Sequence, residues 1–334
     1  MVSRILAMTQ RVLVLGANGF IGRRVVGQLS QRDGITVVAA GRTPISGNLS
    51  KNIEPRVLDA TDESALRQAL AGVTGVINCI AGSPETIVLN ARALFTAASR
   101  TNPAPRIVHL SSLAVYGSLE GVVDETVAPR GDSSPYAAAK LTTEKFAAEC
   151  ESAVTLRPGI VYGPQSPWWS DRIARLLCAR RLGDMGAAGE GLCNLVYVDD
   201  VATAAVSALS APDIQGGIYN LAQSPIPTWN EYFAQYAQKL RALPLRRISG
   251  NRLRAEQALF APALKLLELA QGFGILREAS LPPPIRPWLL ALCRHRIGMI
   301  STRAETALGI KWTPLEEGLR ASADWFLAGG RTQP

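Results

Sequence analysis

The sequence predicts an α/β fold, with a doubly wound parallel sheet followed by a smaller, mostly helical C-terminal lobe. Short apolar runs typical of buried parallel strands alternate with helical patterns from residue 11 to residue 165. A glycine-rich turn follows the first of these runs. With 334 residues, of which 47% are hydrophobic, the chain is long enough to bury a sizeable core in one domain and a smaller lobe.

The glycine-rich turn lies between the apolar run 11–15 and the helical pattern 23–29. Gly16 permits a tight turn, Gly19 lets the backbone approach a pyrophosphate, and Gly22 lets the helix pack close to the strand. The anion would then lie at the helix N-terminus, where free N–H groups and the helix dipole favour it. The turn therefore predicts a Rossmann-type dinucleotide site formed by Gly16, Asn18, Gly19, Phe20, Ile21 and Gly22.

The second and third predicted strands indicate which dinucleotide is bound. The run 36–40 ends at Arg42, where an acidic residue would accept from a ribose hydroxyl and an arginine can pair with a 2′-phosphate. NADP(H) is therefore favoured over NAD(H), although Arg42 would also suit a solvated surface. Asp59 follows the third strand and is placed to approach the adenine, but Asp59 or Asp62 would also suit a helix N-cap.

Two further strands end in small or polar residues. The run 75–80 leads into Ala81, where the middle of the cofactor would lie against the backbone, and Asn78 has a structural role here. The run 106–110 delivers Ser112 at its C-terminal end, the side of an open α/β sheet where ligands bind.

Tyr136 and Lys140 predict a proton-transfer site. A hydride transfer at a carbinol carbon requires a proton to move on or off the oxygen, and a phenol with a pKa of roughly 10 needs help near neutrality. Lys140 lies one helical turn after Tyr136, so its ammonium group can stabilise a tyrosinate. Ser112 can hold the substrate oxygen beside the phenol. A surface Tyr and Lys pair is the plain alternative.

Five ordered segments extend the pattern along the chain. These are GANGFIG at 16–22, SSLAVYG at 111–117, YAAAK at 136–140, LRPGIVYGP at 156–164 and LVYVDDVATA at 195–204. With them the chain resembles, from Arg11 to Trp325, the extended short-chain dehydrogenase/reductase family. That family includes sugar-nucleotide epimerases and dehydratases and 3β-hydroxysteroid dehydrogenase-like reductases.

The resemblance implies roles for individual residues. Ser112, Tyr136 and Lys140 would form the catalytic triad. Asn90 falls where the family has an asparagine that organises a proton relay to the lysine, although it would also suit an ordinary helix. Pro158 falls where the backbone passes the nicotinamide.

Positions where this sequence departs from the family pattern narrow the class of possible substrates. Dehydratases carry an Asp-Glu pair where this chain has Leu113 and Ala114. Epimerases place an asparagine and an arginine on the substrate diphosphate where this chain has Ile160 and Cys193. Arginines that suit phosphate remain in the substrate segment, at Arg172, Arg175, Arg180 and Arg181.

We therefore expect an NADP(H)-dependent oxidoreductase that transfers a hydride between nicotinamide and a secondary alcohol or ketone of a largely apolar small molecule. An NAD-dependent sugar-nucleotide epimerase is the first alternative. A protein that binds NADP(H) without catalysis is the second, and the intact Ser, Tyr and Lys set argues against it.

The expected organisation is a dinucleotide-binding domain over 11–165, to whose sheet 195–222 returns, and a substrate-binding lobe over 166–194 and 223–330. Trp168, Trp169 and Trp288 are candidates for the walls of the substrate pocket or for plain core. The first ten residues lack a signal-peptide pattern and are expected to be a frayed extension of a cytoplasmic protein. The five cysteines are scattered and not paired at metal-ligand spacing, and the chain has only two histidines, so no metal site is expected.

The charge is uneven along the chain. The net charge is +8, and residues 239–303 hold twelve basic and three acidic side chains, which leaves the remainder close to neutral. Apolar runs at 259–267 and 287–292 accompany this charge and suggest peripheral contact with an anionic membrane. The preferred interpretation is a lobe that packs over the substrate cleft or in a homodimer interface, with solvated arginines. No motif accompanies the charge to indicate nucleic-acid binding.

Overall fold

The computed structural model describes residues 10–45, 49–211, 214, 216–255 and 285–330. Its strands are β1 (Gln10–Leu15), β2 (Ile35–Gly41), β3 (Ile53–Val57), β4 (Gly75–Asn78), β5 (Arg106–Leu110), β6 (Gly121–Val123), β7 (Ala153–Pro158), β8 (Ile160–Tyr162), β9 (Leu195–Tyr197), β10 (Gly217–Leu221) and β11 (Ile297–Met299). Its helices are α1 (Phe20–Ser30), α2 (Glu63–Ala69), α3 (Pro84–Ser99), α4 (Pro135–Ala148), α5 (Arg172–Cys178), α6 (Val198–Ser210), α7 (Trp229–Lys239), α8 (Gly250–Ala255), α9 (Pro287–Arg294), α10 (Thr302–Leu308) and α11 (Leu315–Leu327).

Seven parallel strands form the main sheet in the order β10-β7-β5-β4-β1-β2-β3. Because side chains alternate along a strand, the two faces of the sheet bury different residues of the same strand. In β1, Val12 and Val14 share an apolar cluster with residues of α1 and α6. Leu13 and Leu15 belong to a cluster with residues of α2 and α3. Helices thus cover both faces, which confirms the predicted doubly wound α/β fold.

The strand order reverses direction between β1 and β4, so the crevice beyond their carboxyl ends is the expected ligand site of such a sheet. The glycine turn follows β1 at this point. Gly16 has a φ of +77°, a left-handed conformation that favours glycine. A Cβ atom added at Gly22 would overlap the carbonyl group of Gly16, so α1 can approach the turn this closely only with glycine there.

The returning segment 195–222 is only partly a component of the main sheet. Strand β10 joins its edge beside β7, but β9 pairs with β8 in a separate two-stranded sheet. Gly159 turns the chain away from the main sheet before β8 begins, and Ile160 N–H donates to the carbonyl of Asn194, the residue before β9. The C-terminal lobe also holds one strand, β11, which pairs with β6.

Aromatic side chains dominate the core of the lobe. Trp229, Tyr232, Phe233 and Tyr236 of α7 are fully buried, in one cluster with residues of α5, α9 and α11. Helix α7 begins with a capping box, in which Thr228 accepts from the N–H of Glu231 and the Glu231 carboxylate accepts from the N–H of Thr228. The division into a cofactor domain and a substrate lobe stays a prediction.

Some predicted features lie outside the described residues, namely nearly all of the N-terminal extension and the apolar run 259–267. Within the described ranges, no helix is both long enough and apolar enough to cross a bilayer.

The tight approach of α1 to the turn can be tested with two glycines of the same helix. In Gly22→Ala the new methyl group overlaps the Gly16 carbonyl, and we expect a loss of about 1–3 kcal/mol in the free energy of unfolding together with weaker dinucleotide binding. Gly27→Ala is the control, because no atom lies within 4 Å of its added Cβ. It should be neutral or gain up to about 1 kcal/mol from helix propensity. Chemical unfolding and nicotinamide fluorescence measure both effects, and equal behaviour of the two variants would contradict the assignment.

Candidate dinucleotide and proton-transfer site

The N-terminus of α1 is open to an anion. Its N-cap residue is Gly19, no side chain caps the first turn, and the turn holds no acidic residue. The backbone N–H groups of this turn therefore have no side-chain acceptor, and they carry the positive end of the helix dipole. Phe20 and Ile21 begin the helix with half-buried side chains, so they offer backbone rather than side-chain groups. These features fit the diphosphate of a dinucleotide.

Asn18 ties the glycine turn to the segment after β2. Its Nδ2 donates to the carbonyl and the hydroxyl oxygen of Thr43, at 2.9 and 3.1 Å. This contact fixes the chain next to Arg42, whose side chain is exposed at the carboxyl end of the sheet. The sequence predicted that Asn18 belongs to the cofactor loop, but it did not predict this contact with Thr43.

Asp59 is exposed and accepts from the N–H and the hydroxyl of Thr61, at 2.9 and 2.8 Å. These two donors lower the pKa of its carboxyl, and the charge of Arg42 lowers it a little further. Asp59 and Arg42 therefore face the same region at the edge of the sheet. The N-cap of α2 is Asp62, which accepts from the N–H groups of Ser64 and Ala65, so Asp59 is left for another role.

The structure brings Ser112, Tyr136 and Lys140 together. Ser112 lies close enough to Tyr136 for its hydroxyl to lower the pKa of the phenol, and the Ser112 Oγ accepts from the N–H of Ala114 at 3.2 Å. Lys140 is 3% exposed. Its Nζ lies 6.0 Å from the centre of the Tyr136 ring and donates to the carbonyl of Leu110 at 2.7 Å. Tyr136 is 38% exposed, so a ligand can reach its phenol.

Burial shifts the pKa values of Lys140 and Tyr136. Desolvation lowers the pKa of Lys140 to about 8, although Cys79 and Glu144 both act to raise it. Desolvation also raises the pKa of Tyr136, and the nearby Ser112 hydroxyl opposes that change. The sequence predicted that Lys140 lowers the pKa of Tyr136. The arrangement differs because the ammonium group points to the Leu110 carbonyl and is separated from the phenol.

A buried ion pair, absent from the sequence predictions, holds α4 against the sheet. Arg157 of β7 donates to both carboxylate oxygens of Glu144, at 2.9 and 2.6 Å. The Ser111 hydroxyl donates to the same carboxylate at 2.5 Å. Arg157 also donates to the hydroxyl of Tyr116 at 3.0 Å. Because Glu144 lies one turn after Lys140, and Ser111 directly precedes Ser112, this pair aligns two of the predicted catalytic residues.

Asn90 does not contact Lys140. Its Oδ1 accepts from Asn78 Nδ2 at 2.8 Å, and its own Nδ2 donates to the carbonyl of Ala60 at 2.8 Å. Asn78 Nδ2 also lies 3.4 Å from His109 Nδ1. His109 Nε2 lies 2.9 Å from the hydroxyl of Thr143, which donates to the Lys140 carbonyl at 2.8 Å. Asn90 is therefore one end of a buried chain of hydrogen bonds that reaches the backbone of Lys140.

The donors and acceptors of this chain fix the state of His109. The Thr143 hydroxyl proton goes to the Lys140 carbonyl, so its oxygen can accept only from a proton on His109 Nε2. Nδ1 is then the acceptor that Asn78 requires. Desolvation and, to a smaller degree, the charge of Lys140 lower the pKa of His109 to about 3, which agrees with a neutral ring. The sequence contains no spacing signal for this chain of hydrogen bonds, because its side chains come from two strands and two helices.

The remaining predicted cofactor contacts lie along the same edge. Ala81 is exposed just after β4. Pro158 is the buried last residue of β7. Gly159 follows it, and an added Cβ there would overlap the carbonyl of Asn194. Backbone rather than side chain therefore borders the edge at these points.

Arg23 joins the glycine turn to the start of the lobe. Its guanidinium donates to the carbonyl of Asn18 at 2.9 Å and to the side chain of Gln165 at 2.5 Å. Gln165 has a φ of +73°, an uncommon conformation for a side chain of this kind. The segment that carries Trp168 and Trp169 begins two residues later. The contact thus brings these tryptophans towards the cofactor edge.

Three of the lobe tryptophans form an exposed cluster. Trp168 and Trp288 are 45% and 41% exposed and meet edge to face with ring centres 6.1 Å apart. Trp169 packs against Trp288 on one side and against the buried Trp229 on the other. Trp169 belongs to the core, whereas Trp168 and Trp288 present ring surface to solvent. That these two form a wall of the substrate pocket stays a prediction.

Among the described residues, no group of three or more His, Cys, Asp and Glu side chains is placed to hold a metal ion.

Comparison with known proteins agrees with this geometry. The model of the NAD dependent epimerase/dehydratase family matches residues 12–222, more than half of the chain. The chain belongs to the NAD-dependent epimerase/dehydratase family. It is therefore an enzyme of the extended short-chain dehydrogenase/reductase class that uses a nicotinamide cofactor, and the fold and family predicted from the sequence are confirmed.

Individual relatives of this family cover most of the chain. A 3-diazoavenalumate denitrifying reductase of Streptomyces sp. is 26% identical over 93% of this chain and 98% of its own length. Protein YeeZ of Escherichia coli K12 is 28% identical over 67% of this chain and 77% of its own. The structure of UDP-glucuronic acid 4-epimerase from Bacillus cereus in complex with NAD has a TM-score of 0.72 at 20% identity, over 96% of this chain and 100% of that one.

The buried charge of Lys140 gives a pH signature. Folded Lys140 releases its proton above about pH 8, whereas the unfolded chain keeps it to the ordinary value of 10.5. The unfolded state therefore binds more protons in this range, and the free energy of unfolding should rise by about 1.4 kcal/mol per pH unit. Lys140→Met removes this contribution. We expect the stability of the variant relative to wild type to fall steadily from pH 8 to 10.5, measured by chemical unfolding.

Lys145→Met is the control for this measurement, because Lys145 is an exposed lysine of the same helix. A wild-type protein whose pH profile matches that of Lys140→Met in this range would rule out the buried ammonium group.

Proposed function

We propose that this enzyme is an NADP(H)-dependent oxidoreductase that interconverts a secondary alcohol and a ketone on a largely apolar small molecule. The observation that carries the proposal is the grouping of Ser112, the 38% exposed Tyr136 and the buried Lys140, whose Nζ lies 6.0 Å from the centre of the Tyr136 ring. This arrangement suits proton transfer to an oxygen held at the carboxyl edge of the sheet.

Ser112, Tyr136 and Lys140 have separate roles in the proposed reaction. Ser112 donates to the substrate oxygen and holds it beside the phenol. Tyr136 gives its proton to that oxygen during reduction and takes it back during oxidation. Lys140, with its ammonium nitrogen 6.0 Å from the centre of the Tyr136 ring, supplies a positive charge behind the phenol. A nicotinamide bound at this edge would supply or accept the hydride.

Arg42 supports a preference for NADP(H). It is exposed next to the glycine turn, is held there through the contact of Asn18 with Thr43, and lies close enough to Asp59 to lower the pKa of that carboxyl. A guanidinium group in this position can bind a 2′-phosphate through two hydrogen bonds.

Two observations support an apolar substrate. Ile160 and Cys193, which replace the diphosphate-binding residues of sugar-nucleotide epimerases, are 4% and 0% exposed, so neither side chain can contact a ligand. Arg175 of the substrate segment is paired with Asp171 at 3.0 Å. The exposed rings of Trp168 and Trp288 offer an apolar wall instead. The relative that matches most of the chain carries the name of a reductase.

An NAD-dependent sugar-nucleotide epimerase is the second candidate. The observation in its favour is the match in fold to UDP-glucuronic acid 4-epimerase along nearly the whole chain. The two candidates differ in cofactor handling. A net oxidoreductase must exchange its cofactor in each cycle, whereas an epimerase retains it.

The first test is a titration of the purified protein with NADPH and NADH, together with a check for cofactor that co-purifies. Weak, exchangeable binding that prefers NADPH supports the proposal, and ketones and alcohols can then be screened by nicotinamide absorbance. Tightly retained NAD would reject it in favour of the epimerase.

Tyr136→Phe tests the proton-transfer role. Loss of the hydroxyl should reduce kcat by at least about a hundredfold and leave NADPH binding within a few-fold of wild type, because only the proton donor is removed. Tyr197→Phe is the control, since it keeps the edge-to-face contact with Tyr162. Turnover of Tyr136→Phe close to that of the control would exclude Tyr136 as the acid and base.

Arg42→Gln tests the cofactor preference. Removal of one charge-assisted pair with the 2′-phosphate should weaken NADPH binding by about tenfold or more and change NADH binding little. Arg67→Gln removes an exposed arginine of α2 as the control for net charge. Equal losses for NADPH and NADH would show that Arg42 does not read the phosphate.

A further inference from the structure

Helices α5 and α7 end side by side on the surface of the lobe. A shallow cavity of about 200 Å³ separates their C-terminal ends, and it is lined by Cys178, Arg180, Leu240, Arg241, Ala242 and Leu243. Both ends form the same structure. Arg181 N–H donates to the carbonyl of Leu176, and Ala242 N–H donates to that of Ala237, which is the hydrogen bond of a Schellman motif.

Arginine occupies the left-handed position of both motifs. Arg180 and Arg241 have φ values of +53° and +56°. Glycine is the usual residue at this position, because a side chain there strains the backbone by about 1 kcal/mol. The helix dipole favours a cation near a C-terminus, but a lysine or arginine within the last helical turn would satisfy the dipole without straining the backbone. The repeated use of arginine here points to a role for the exposed guanidinium groups.

Further arginines extend the same surface. Asp184 N–H donates to the carbonyl of Arg246 and Ile248 N–H donates to that of Asp184, which pairs the segments 183–184 and 246–248. Arg252 reaches back to the carbonyl of Arg180 at 3.4 Å. We call the surface formed by Arg180, Arg241, Leu243, Arg246 and Arg247 the arginine face.

The positive charge of the arginine face is only partly neutralised by neighbours. Arg247 pairs with Asp184 at 3.3 Å. Within the described part of the chain, Arg180, Arg241 and Arg246 have no carboxylate within 4.0 Å, in contrast to Lys239 on the other side of α7, which pairs with Glu316 at 2.6 Å. Unscreened guanidinium groups that point the same way repel each other, so the face favours an anionic partner.

The arginine face also holds an exposed apolar side chain. Leu243 is 53% exposed, between Arg241 and Arg246 along the chain, and Cys178 is exposed across the cavity. Arginines spread around an exposed leucine do not enclose a small anion. They match instead a surface of phosphate groups over an apolar layer, with the guanidinium groups on the phosphates and the leucine below them.

We propose that the arginine face binds the surface of an anionic membrane. Arg180, Arg241 and Arg246 contact the lipid phosphates, and Leu243 enters the boundary of the acyl layer. The site lies at the C-terminal ends of α5 and α7 and shares no residue with the glycine turn or with Ser112, Tyr136 and Lys140. Binding is therefore independent of the proposed reaction and would hold even if that proposal failed.

The test is co-sedimentation of the full-length protein with vesicles of phosphatidylcholine alone and of phosphatidylcholine mixed with phosphatidylglycerol. We expect binding only to the anionic vesicles, reduced by salt because exposed charges are screened. The triple variant Arg180→Gln, Arg241→Gln, Arg246→Gln should weaken binding by about a hundredfold, since each arginine contributes about fivefold at such a surface. Leu243→Ser should weaken it several-fold and leave most of the salt dependence.

The control for net charge is the triple variant Lys51→Gln, Arg67→Gln, Arg320→Gln, which removes three exposed basic residues elsewhere on the molecule. It should bind like wild type. Circular dichroism and unfolding curves check that both triple variants fold. No binding to anionic vesicles, equal losses in the two triple variants, or tighter binding to duplex DNA than to vesicles would each overturn the proposal.

Discussion

The buried ion pair between Arg157 and Glu144 is the interaction on which the candidate site depends. Both groups are almost fully buried, so each needs the other: removal of one partner of such a pair typically costs about 3–5 kcal/mol because a buried charge is left alone. The pair adds little stability compared with apolar packing. Its consequence is geometric, since it allows α4 only one position against β5 and β7.

That position determines the electrostatics of the proton-transfer site. The ammonium group of Lys140 is buried and donates to one strong acceptor, the Leu110 carbonyl. Desolvation lowers its pKa to about 8. Glu144 keeps the ammonium group charged near neutrality, although its own oxygens are occupied by Arg157 and Ser111. The neutral His109 and the two asparagines complete the polar groups under the site without adding charge.

The lobe is connected to this centre by a second set of polar contacts. Arg23 lies at the cofactor turn and bonds the loop that leads to Trp168, so binding at α1 and the arrangement of the exposed tryptophans share one element. On the opposite side, α5 and α7 end in the arginine face.

The sequence by itself determined the fold class. It also predicted the dinucleotide loop and the set of Ser112, Tyr136 and Lys140, because these depend on local spacing: strand, turn and helix for the glycines, and one helical turn between Tyr136 and Lys140. Only the tertiary structure decided what surrounds them. Ser111, Glu144 and Arg157 come from three different parts of the chain, 33 and 13 residues apart. Of the segment expected to return to the main sheet only β10 does so, because β9 pairs with β8. The direction of the Lys140 ammonium group and the neutrality of His109 depend on desolvation and on partners across the sheet. Those effects have no period along the sequence, which is why spacing alone could not reveal them.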